Sequence, residues 1–135
     1  MNPRAEIWNV LHDGEIAEID GKIPGDVDIR VKIEYLRQIF SADGEHIIVR
    51  LVNCTKFSMK IWEESVVTDD PQRIVDSGTE ILSTDSDDVP VHVVTTQGEI
   101  DVDFEDFRLS LDHGRSITFE ELCAECENYW NRWGN

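Results

Sequence analysis

Two cysteines near the C-terminus have the spacing that most resembles a chemical motif. Cys123 and Cys126 form a C-x-x-C pair in "ELCAECENYWNRWGN", and such pairs act in thiol redox chemistry or bind zinc. A reactive thiolate is favoured by a helix N-terminus or a nearby cation, whereas acids surround this pair. The four neighbouring acids are Glu120, Glu121, Glu125 and Glu127. We therefore predict thiols that are ordinary or less acidic than ordinary.

A zinc site in this chain would lack ligands. Structural zinc needs four, and beyond the C-x-x-C pair the sequence offers only Cys54 and four scattered histidines, none at a paired spacing. A buried free cysteine behaves as a small apolar side chain. The sequence thus predicts no metal and no cofactor, and it predicts that Cys123 and Cys126 are buried, reduced and slow to react with thiol reagents.

A run of acids in "EIDVDFEDFRLSLD" has the spacing that begins a calcium-binding loop. Its first, third and fifth positions are Asp101, Asp103 and Glu105. A calcium loop also needs Gly at its sixth position and Glu at its twelfth, where this chain has Asp106 and Asp112. Apolar residues alternate with the acids, so the pattern predicts a strand with one solvated face. A weak surface cation site, with "STDSDD" (83–88) nearby, is the alternative.

Two short segments that combine His, Asp and Gly invite a catalytic interpretation. They are His12-Asp13-Gly14 and Asp112-His113-Gly114, and both fall where the chain needs a turn, a place that suits these residue types for conformational reasons. The sequence contains no G-x-S-x-G elbow, phosphate-binding Gly loop, H-E-x-x-H or G-x-G-x-x-G motif. We therefore predict a protein that is not an enzyme.

The elements that must position these residues are mostly strands. "DVDIRVKIEY" alternates apolar and charged residues, which is the period of a strand. "EHIIVRLVN" is apolar on one face and half apolar on the other, which predicts a central strand covered on both sides. "KFSMKIW" places Phe57, Met59 and Ile61 on one face. Shorter β-type runs follow: "TEILST", "VPVHVVTT", "EIDVDF" and "FRLSLD".

Glycine-containing turns separate these runs. Asp13-Gly14, Asp20-Gly21 and Asp43-Gly44 are typical of tight turns, because Gly readily adopts positive φ. The spacing predicts a mainly β fold, an antiparallel β-sandwich or flattened barrel of about eight or nine strands. Two segments interrupt it: "YLRQIF" (35–40) is predicted as a helical turn and "EESVVTDDPQRIVDSG" (63–78) as an irregular crossover.

One amphipathic helix is predicted at 118–133, packed on the strands. Thr118 and Glu121 have the capping-box spacing, and acids occupy the first turn. Arg132 falls in the last turn. A 3.6-residue period places one apolar stripe on the helix, and Trp130 on that stripe is predicted to be core. The stripe comprises Phe119, Leu122, Cys123, Cys126, Tyr129, Trp130 and Trp133. The 135 residues are predicted to form one domain, 1–135, that is β-rich over 5–113.

The composition is strongly acidic. Twenty-nine Asp and Glu against twelve Lys and Arg give a formal net charge of -17, which repels nucleic acid and anionic membranes and attracts basic proteins. No apolar run approaches the roughly 18 residues of a membrane span, and the N-terminal residues lack a secretory signal pattern. Three cysteines, an odd number, fit a reducing compartment. We expect a cytoplasmic protein that contacts neither nucleic acid nor membrane.

The hypothesis for function is a non-enzymatic, acidic protein-interaction module, such as an immunity or inhibitor protein for a basic partner. If Phe57, Met59 and Ile61 point inward, Trp62 lies on the polar face, where an aromatic side chain can anchor an interface. The predicted binding residues are Trp62, Lys60, Asp101, Asp103 and Glu105. The alternative is a small-ligand or cation-binding β-domain, which would need a concave apolar pocket.

Several segments also carry a resemblance to known proteins. "IWNVLHDGEI", "GDVDIRVKIEYLR", "NCTKF", "EILS" and the terminal "YWNRW" resemble small acidic bacterial proteins of unassigned function, and the resemblance spans most of the chain. It implies no activity, so no site residue is derived from it.

Overall fold

Ten strands and four helices make up the described part of the chain. The computed structural model describes residues 2–41, 43–85 and 87–134, with side chains as far as Asn131. The helices are α1 (Pro3–Val10), α2 (Glu34–Phe40), α3 (Pro71–Asp76) and α4 (Phe119–Gly134). The strands are β1 (Glu15–Gly21), β2 (Gly25–Lys32), β3 (His46–Cys54), β4 (Lys56–Ile61), β5 (Val66–Thr68), β6 (Ile81–Thr84), β7 (Val91–Thr95), β8 (Gly98–Asp103), β9 (Asp106–Leu111) and β10 (Ser116–Ile117).

The strands form two antiparallel sheets of five strands each. Sheet A has the order β1-β2-β3-β9-β10 and sheet B the order β5-β4-β8-β7-β6. Apolar residues that alternate along the strands meet in one buried cluster, which includes Val27, Ile29 and Val31 of β2. The prediction of a mainly antiparallel β fold with a C-terminal helix is confirmed. The described residues contain ten strands, slightly more than the eight or nine expected.

Two long bent strands pass through both sheets. β3 continues into β4 after the single residue Thr55, and β8 continues into β9 after Phe104 and Glu105. Because β3 pairs with β9 in sheet A and β4 pairs with β8 in sheet B, the four strands form one antiparallel ribbon that bends where the sheets meet.

The bend contains one extra residue on the β3–β4 side. Between the pairs Val52–Asp106 and Lys56–Asp103, the β3–β4 side has three residues, 53–55, and the β8–β9 side has two, 104–105. Such a bulge bends a strand and increases its twist. Asn53 lies in this bulge with φ of 50°, a conformation that Asn tolerates better than most residues.

Side chains hold this bend in place. The Asn53 N–H donates to the Asp26 carboxylate at 3.0 Å, and the Asn53 side-chain amide donates to the Glu105 carboxylate. The Glu105 N–H donates to the Val52 carbonyl at 2.9 Å. Arg4 of α1 donates to the Glu105 carbonyl at 3.4 Å. Glu105 therefore has a structural position at the bend.

Helices α1 and α3 correct two predictions. Residues 5–10, expected to be β-rich, belong to α1, and the crossover at 63–78 contains β5 and α3. Both helices begin with an Asx-Pro pair, which supplies an N-cap acceptor and a residue suited to the first helical position. The Asn2 side chain accepts the Arg4 N–H at 3.1 Å, and the Asp70 carboxylate accepts the Gln72 N–H at 3.1 Å.

Strand β3 is central in sheet A, as predicted, but its second face is not covered. Ile47, Val49 and Leu51 are buried, whereas Arg50 on the opposite face is exposed and Ile48 is only half-buried. The expectation that both faces are covered was wrong, because the face that carries Ile48 and Arg50 stays partly open to solvent.

A buried ion pair joins α2 to the end of β9. The predicted helical turn at 35–40 is part of α2, whose Arg37 is completely buried. Arg37 Nε donates to Asp112 Oδ1 at 2.8 Å, and Arg37 Nη1 donates to the Ser41 carbonyl at 3.1 Å. The second Asp112 oxygen accepts the N–H groups of Glu45 and His46 at 2.9 and 3.1 Å. Burial alone would raise the pKa of Asp112, but these donors hold that pKa well below its ordinary value.

The capping box that begins α4 is confirmed. The Thr118 N–H donates to Glu121 Oε1 at 3.1 Å, and the Glu121 N–H donates back to Thr118 Oγ1 at 3.0 Å. The first turns pack on sheet A through the buried Leu122 and through Phe119, whose ring lies 5.7 Å from that of Phe107.

The second half of α4 packs against α1 and α2 instead of the sheets. The Trp130 ring stacks on His12 at 5.3 Å, and Tyr129 contacts Tyr35 at 5.0 Å. Burial is the main cause that raises the pKa of Tyr35. Because these helices cover only one side of the stripe, Trp130 is 43% exposed, and the prediction that it is core was wrong.

The two cysteines of α4 are half-buried, which corrects the prediction that both are buried. The buried cysteine is Cys54, at the bend of the ribbon. Burial raises the pKa of all three thiols, and nearby acids raise that of Cys123 further. The prediction of thiols less acidic than ordinary is thus confirmed. The side chains of Arg132 and Trp133 lie outside the described residues.

The buried ion pair predicts a stability difference between two aspartate variants. Asp112→Ala should lower the free energy of unfolding by about 3–5 kcal/mol, because Arg37 would stay buried with only the exposed Asp43 carboxylate, 3.4 Å from Nη2, as an acidic partner. Asp28→Ala, which removes the exposed partner of Arg50, should lower it by no more than about 1 kcal/mol. Urea denaturation at neutral pH measures both. Equal losses would contradict the structural role of Asp112.

The loss of stability at acid pH gives an independent check of the Arg37–Asp112 ion pair. A carboxylate with a lowered folded-state pKa contributes stability above its unfolded value of about 3.9, and this stability is lost as the pH falls. Wild type should therefore lose more stability than Asp112→Ala between neutral and acid pH.

Two tryptophans on neighbouring helices predict different losses on truncation. Trp8 of α1 is 1% exposed, so Trp8→Ala should cost about 3–5 kcal/mol. Trp130→Ala should cost only about 1–2 kcal/mol, because its ring is partly solvated already. Chemical denaturation of both variants measures the difference, and a Trp130 loss as large as that of Trp8 would show that Trp130 is buried in solution.

Candidate functional site

The outer face of sheet B collects most of the predicted binding residues. Buried residues alternate along β4, β7 and β8, so the intervening side chains point away from the core. The Trp62 N–H donates to the Gln97 carbonyl at 3.1 Å and continues the β4–β8 ladder by one residue. We call this surface the Trp62 face, and its residues are Lys56, Ser58, Lys60, Trp62, Val67, His92, Val94, Glu99, Asp101 and Asp103.

A chain of hydrogen bonds crosses the Trp62 face. The Trp62 indole N–H donates to Glu99 Oε2 at 2.9 Å. The other Glu99 oxygen lies 2.9 Å from His92 Nε2, and His92 Nδ1 lies 3.0 Å from Asp101 Oδ1. Three strands, β4, β8 and β7, are thereby connected through side chains as well as through their backbones.

The geometry favours a charged imidazole. Both ring nitrogens of His92 face carboxylate oxygens, and only a doubly protonated ring donates from both. Burial alone would lower the pKa of His92, but Glu99, Asp85 and Asp101 raise it above its ordinary value. The hydrogen bonds from Trp62 and His92 lower the pKa of Glu99. The chain thus joins an indole, two carboxylates and an imidazole whose charged form the carboxylates favour.

Exposed apolar surface lies beside this charged chain. Trp62 is 47% exposed and Val67 is 69% exposed. Val67 is paired across the strands with Lys60, which in turn is paired with Glu99. An aromatic ring, an aliphatic side chain and charges of both signs thus share one open sheet surface.

Four of the five predicted binding residues lie on the Trp62 face. Trp62, Lys60 and Asp101 belong to its centre, and Asp103 lies further along β8 opposite Lys56. Glu105 does not belong to the face, because the chain bends after β8 and places this residue against Asn53.

His92 and Glu99 are the two members of the hydrogen-bond chain that the sequence analysis did not single out. Both residues lie in segments where apolar and polar residues clearly alternate. In β8 this alternation places the side chains of Glu99 and Asp101 on the same face. Their pairing with Trp62 depends on the strand order of sheet B, which the local pattern does not reveal.

The structure also bears on metal and membrane sites. In the described part of the chain, no group of three or more His, Cys, Asp or Glu side chains is arranged to hold a metal ion. Among the described residues, no helix is long and apolar enough to cross a bilayer. In the segment Asp112-His113-Gly114, Asp112 forms an ion pair with Arg37. In the segment His12-Asp13-Gly14, the His12 ring stacks on Trp130.

A groove of about 600 Å³ lies between the β1–β2 turn and the edge of β4. β5 pairs with β4 only from Met59 to Ile61, so the preceding part of β4 has no strand neighbour on that side among the residues that the structure describes. The groove residues are Ile19, Gly21, Lys22, Ile23, Val27, Thr55, Lys56, Phe57, Ser58, Asp69, Asp70 and Pro71. It is a mixed apolar and polar concavity next to the Trp62 face.

Comparisons of the chain with protein-family models, with curated proteins and with solved structures found no match. The resemblance to small acidic bacterial proteins therefore stays a prediction. Function has to be argued from the surface chemistry of this chain.

The hydrogen-bond chain predicts how His92 titrates. Its pKa, measured by NMR from the imidazole resonances, should lie above the ordinary value of about 6.5. The stability that its charge contributes is complete below that value and is lost as the pH rises through the folded-state pKa.

A pair of variants tests the cause of this shift. Glu99→Gln should lower the His92 pKa, because it removes one of the three acids that raise it while keeping an acceptor for the Trp62 indole. Glu120→Gln makes the same charge change on exposed α4 and should leave the titration almost unchanged. A His92 midpoint at or below the ordinary value, or equal effects of both variants, would contradict the arrangement.

Proposed function

We propose that this protein is a non-enzymatic, acidic interaction module that binds a basic partner protein through the Trp62 face. The observation that carries the proposal is the exposed Trp62 ring, whose N–H is held by Glu99 at 2.9 Å. One concrete form of the function is an immunity or inhibitor protein that neutralises a basic toxin or nuclease.

The held ring supports an anchoring role. Tryptophan is enriched among the residues that dominate interfaces, and a side chain that is already oriented loses less conformational entropy on binding. The bond to Glu99 restrains the Trp62 indole before a partner arrives. Val67, on the same face, adds apolar area beside it.

Charge supports the choice of a basic partner. Opposite net charge speeds encounter and suppresses wrong partners, and the formal net charge here is -17. On the face itself the acids Glu99, Asp101 and Asp103 lie beside Lys56 and Lys60, so the preference for a basic partner depends on the net charge of the whole chain. The same net charge disfavours nucleic acid and anionic lipid as partners. We place the encounter in the cytoplasm, because three cysteines fit a reducing compartment.

The groove favours a second candidate function, the binding of a small ligand. Its volume of about 600 Å³ falls within the range of ligand sites, about 300–1,000 Å³, and apolar side chains such as Ile19, Ile23 and Phe57 contribute to its lining. A ligand seated there would lie beside β4 without covering Trp62.

An affinity experiment with matched tryptophan variants tests the proposal. Immobilised wild type should retain a basic protein from native lysate at low salt, and Trp62→Ala should weaken that binding by at least about thirtyfold, which is roughly 2 kcal/mol. Trp130→Ala, which removes an equally exposed tryptophan from α4, should bind like wild type. Retention should fall as salt is raised.

Two outcomes would overturn the proposal that the Trp62 face binds a basic protein. One is the absence of any retained protein whose binding depends on Trp62. The other is a small molecule that co-purifies with wild type and with Trp62→Ala alike, since this result would favour the groove.

A further inference from the structure

Three arginines lie close together on the outer face of sheet A, on the other side of the molecule from the Trp62 face. They are Arg30 on β2, Arg50 on β3 and Arg108 on β9. Arg50 is paired directly with Arg108, and Arg30 lies two residues along β2 from Asp28, the cross-strand partner of Arg50. A chain with only twelve Lys and Arg thus places three of them on adjacent strands.

This arrangement is unfavourable without an anion. Like charges directly opposite each other on antiparallel strands destabilise a sheet. Asp28 accepts from Arg50 Nε and Nη2 at 2.8 and 3.1 Å, so one of the charges is paired. Arg30 and Arg108 form no ion pair within the described residues, although the chain has 29 acids. In the part of the chain that the structure describes, the Arg108 guanidinium therefore stands without a carboxylate partner directly opposite the Arg50–Asp28 pair.

A depression of about 250 Å³ lies beside Arg50 and Arg108. Ser110 and Ser116 contribute to its lining, and neither hydroxyl has a hydrogen-bond partner among the residues that the structure describes. Gly114, also in the lining, has no atom within 4 Å of the place where a Cβ would stand. The depression is thus open and rich in hydrogen-bond donors. Its one carboxylate, that of Asp28, is already bonded to Arg50.

We propose that this depression, which we call the arginine site, binds the phosphoryl group of a small phosphorylated molecule. Guanidinium groups bind phosphate through paired N–H donors, and the serine hydroxyls supply further donors. Arg50 and Arg108 line the depression, and because Asp28 already pairs with Arg50, one positive charge remains there to attract an anion. A phosphoryl group offers three acceptor oxygens to these donors, whereas a carboxylate offers only two.

Charges around the arginine site favour a small ligand over a polymer. Glu18 lies opposite Arg30, Asp20 lies opposite Asp28, and Asp106 lies two residues before Arg108 on β9. These acids surround the basic centre, so a single phosphoryl group fits where a polyanion would meet repulsion. The net charge of -17 acts in the same direction. Because the arginine site is on sheet A and the Trp62 face is on sheet B, a test of one proposal does not decide the other.

An NMR titration tests the arginine site directly. Inorganic phosphate is added to the ¹⁵N-labelled full chain at constant ionic strength, with chloride as the replaced anion. We expect saturable shifts in the millimolar range, concentrated at Arg50, Arg108, Ser110, Gly114 and Ser116. Shifts that do not saturate, or that spread evenly over the arginines of the chain, would overturn the proposal.

Variants and competing anions make the test specific. Arg108→Gln should weaken phosphate binding roughly ten- to hundredfold, the loss of a charge-assisted hydrogen bond. Arg73→Gln, on α3, removes the same charge elsewhere and should leave the affinity unchanged. Ser110→Ala, a milder change, should weaken binding as well and keeps the test valid if Arg108→Gln unfolds. Equal effects of Arg108→Gln and Arg73→Gln would overturn the site.

Two further ligands decide the chemistry of the group. Acetate should bind more weakly than phosphate at equal concentration, and a single-stranded oligonucleotide should not bind more tightly than phosphate. Acetate that binds as well as phosphate would overturn the phosphoryl assignment. An oligonucleotide that binds more tightly would overturn the small-molecule assignment.

Discussion

The bent ribbon of β3–β4 and β8–β9 is the constraint on which the rest of the molecule depends. Its two strands stay paired while they pass from sheet A to sheet B, so the two sheets cannot slide or rotate independently. The extra residue at the bend sets the register of β4 on β8. A shift by one residue would exchange the inner and outer faces of a strand and would turn Phe57 and Met59 toward solvent. The composition of both outer faces follows from this bend.

The features that the sequence predicts well are those coded by neighbouring residues. The period-two pattern of β2 and the Thr118–Glu121 capping box both appear in the structure as expected. The missed helices, α1 and α3, have only eight and six residues, too few for a helical period to show. The Asn2-Pro3 and Asp70-Pro71 pairs that begin them were the available signal.

Other features depend on residues far apart in the chain, and no local pattern announces them. The sequence alone suggests that Arg37 is a surface residue. In the structure it is buried, because its guanidinium donates to the carboxylate of Asp112. The apolar stripe of α4 predicts that Trp130 is core. The second half of this stripe packs on two helices at the side of the sheets, which leaves Trp130 partly exposed. The same holds for the candidate site: alternation along β4 predicts that Trp62 is exposed, but only the strand order brings His92 and Glu99 to it. The three arginines of sheet A are likewise hidden by an acidic composition.

The ribbon also fixes the order in which the protein can fold. Ile47 pairs with Leu111, and Ile61 pairs with Gly98, so its closure brings together segments that are far apart in the chain. Non-local pairing of this kind slows folding, because the entropy of loop closure is lost before the contacts form. During synthesis the hairpins of β1, β2 and β3 can assemble early, but β3 keeps an unpaired edge until β9 has left the ribosome. That open edge is the stage at which a newly made chain is most exposed to association with its neighbours.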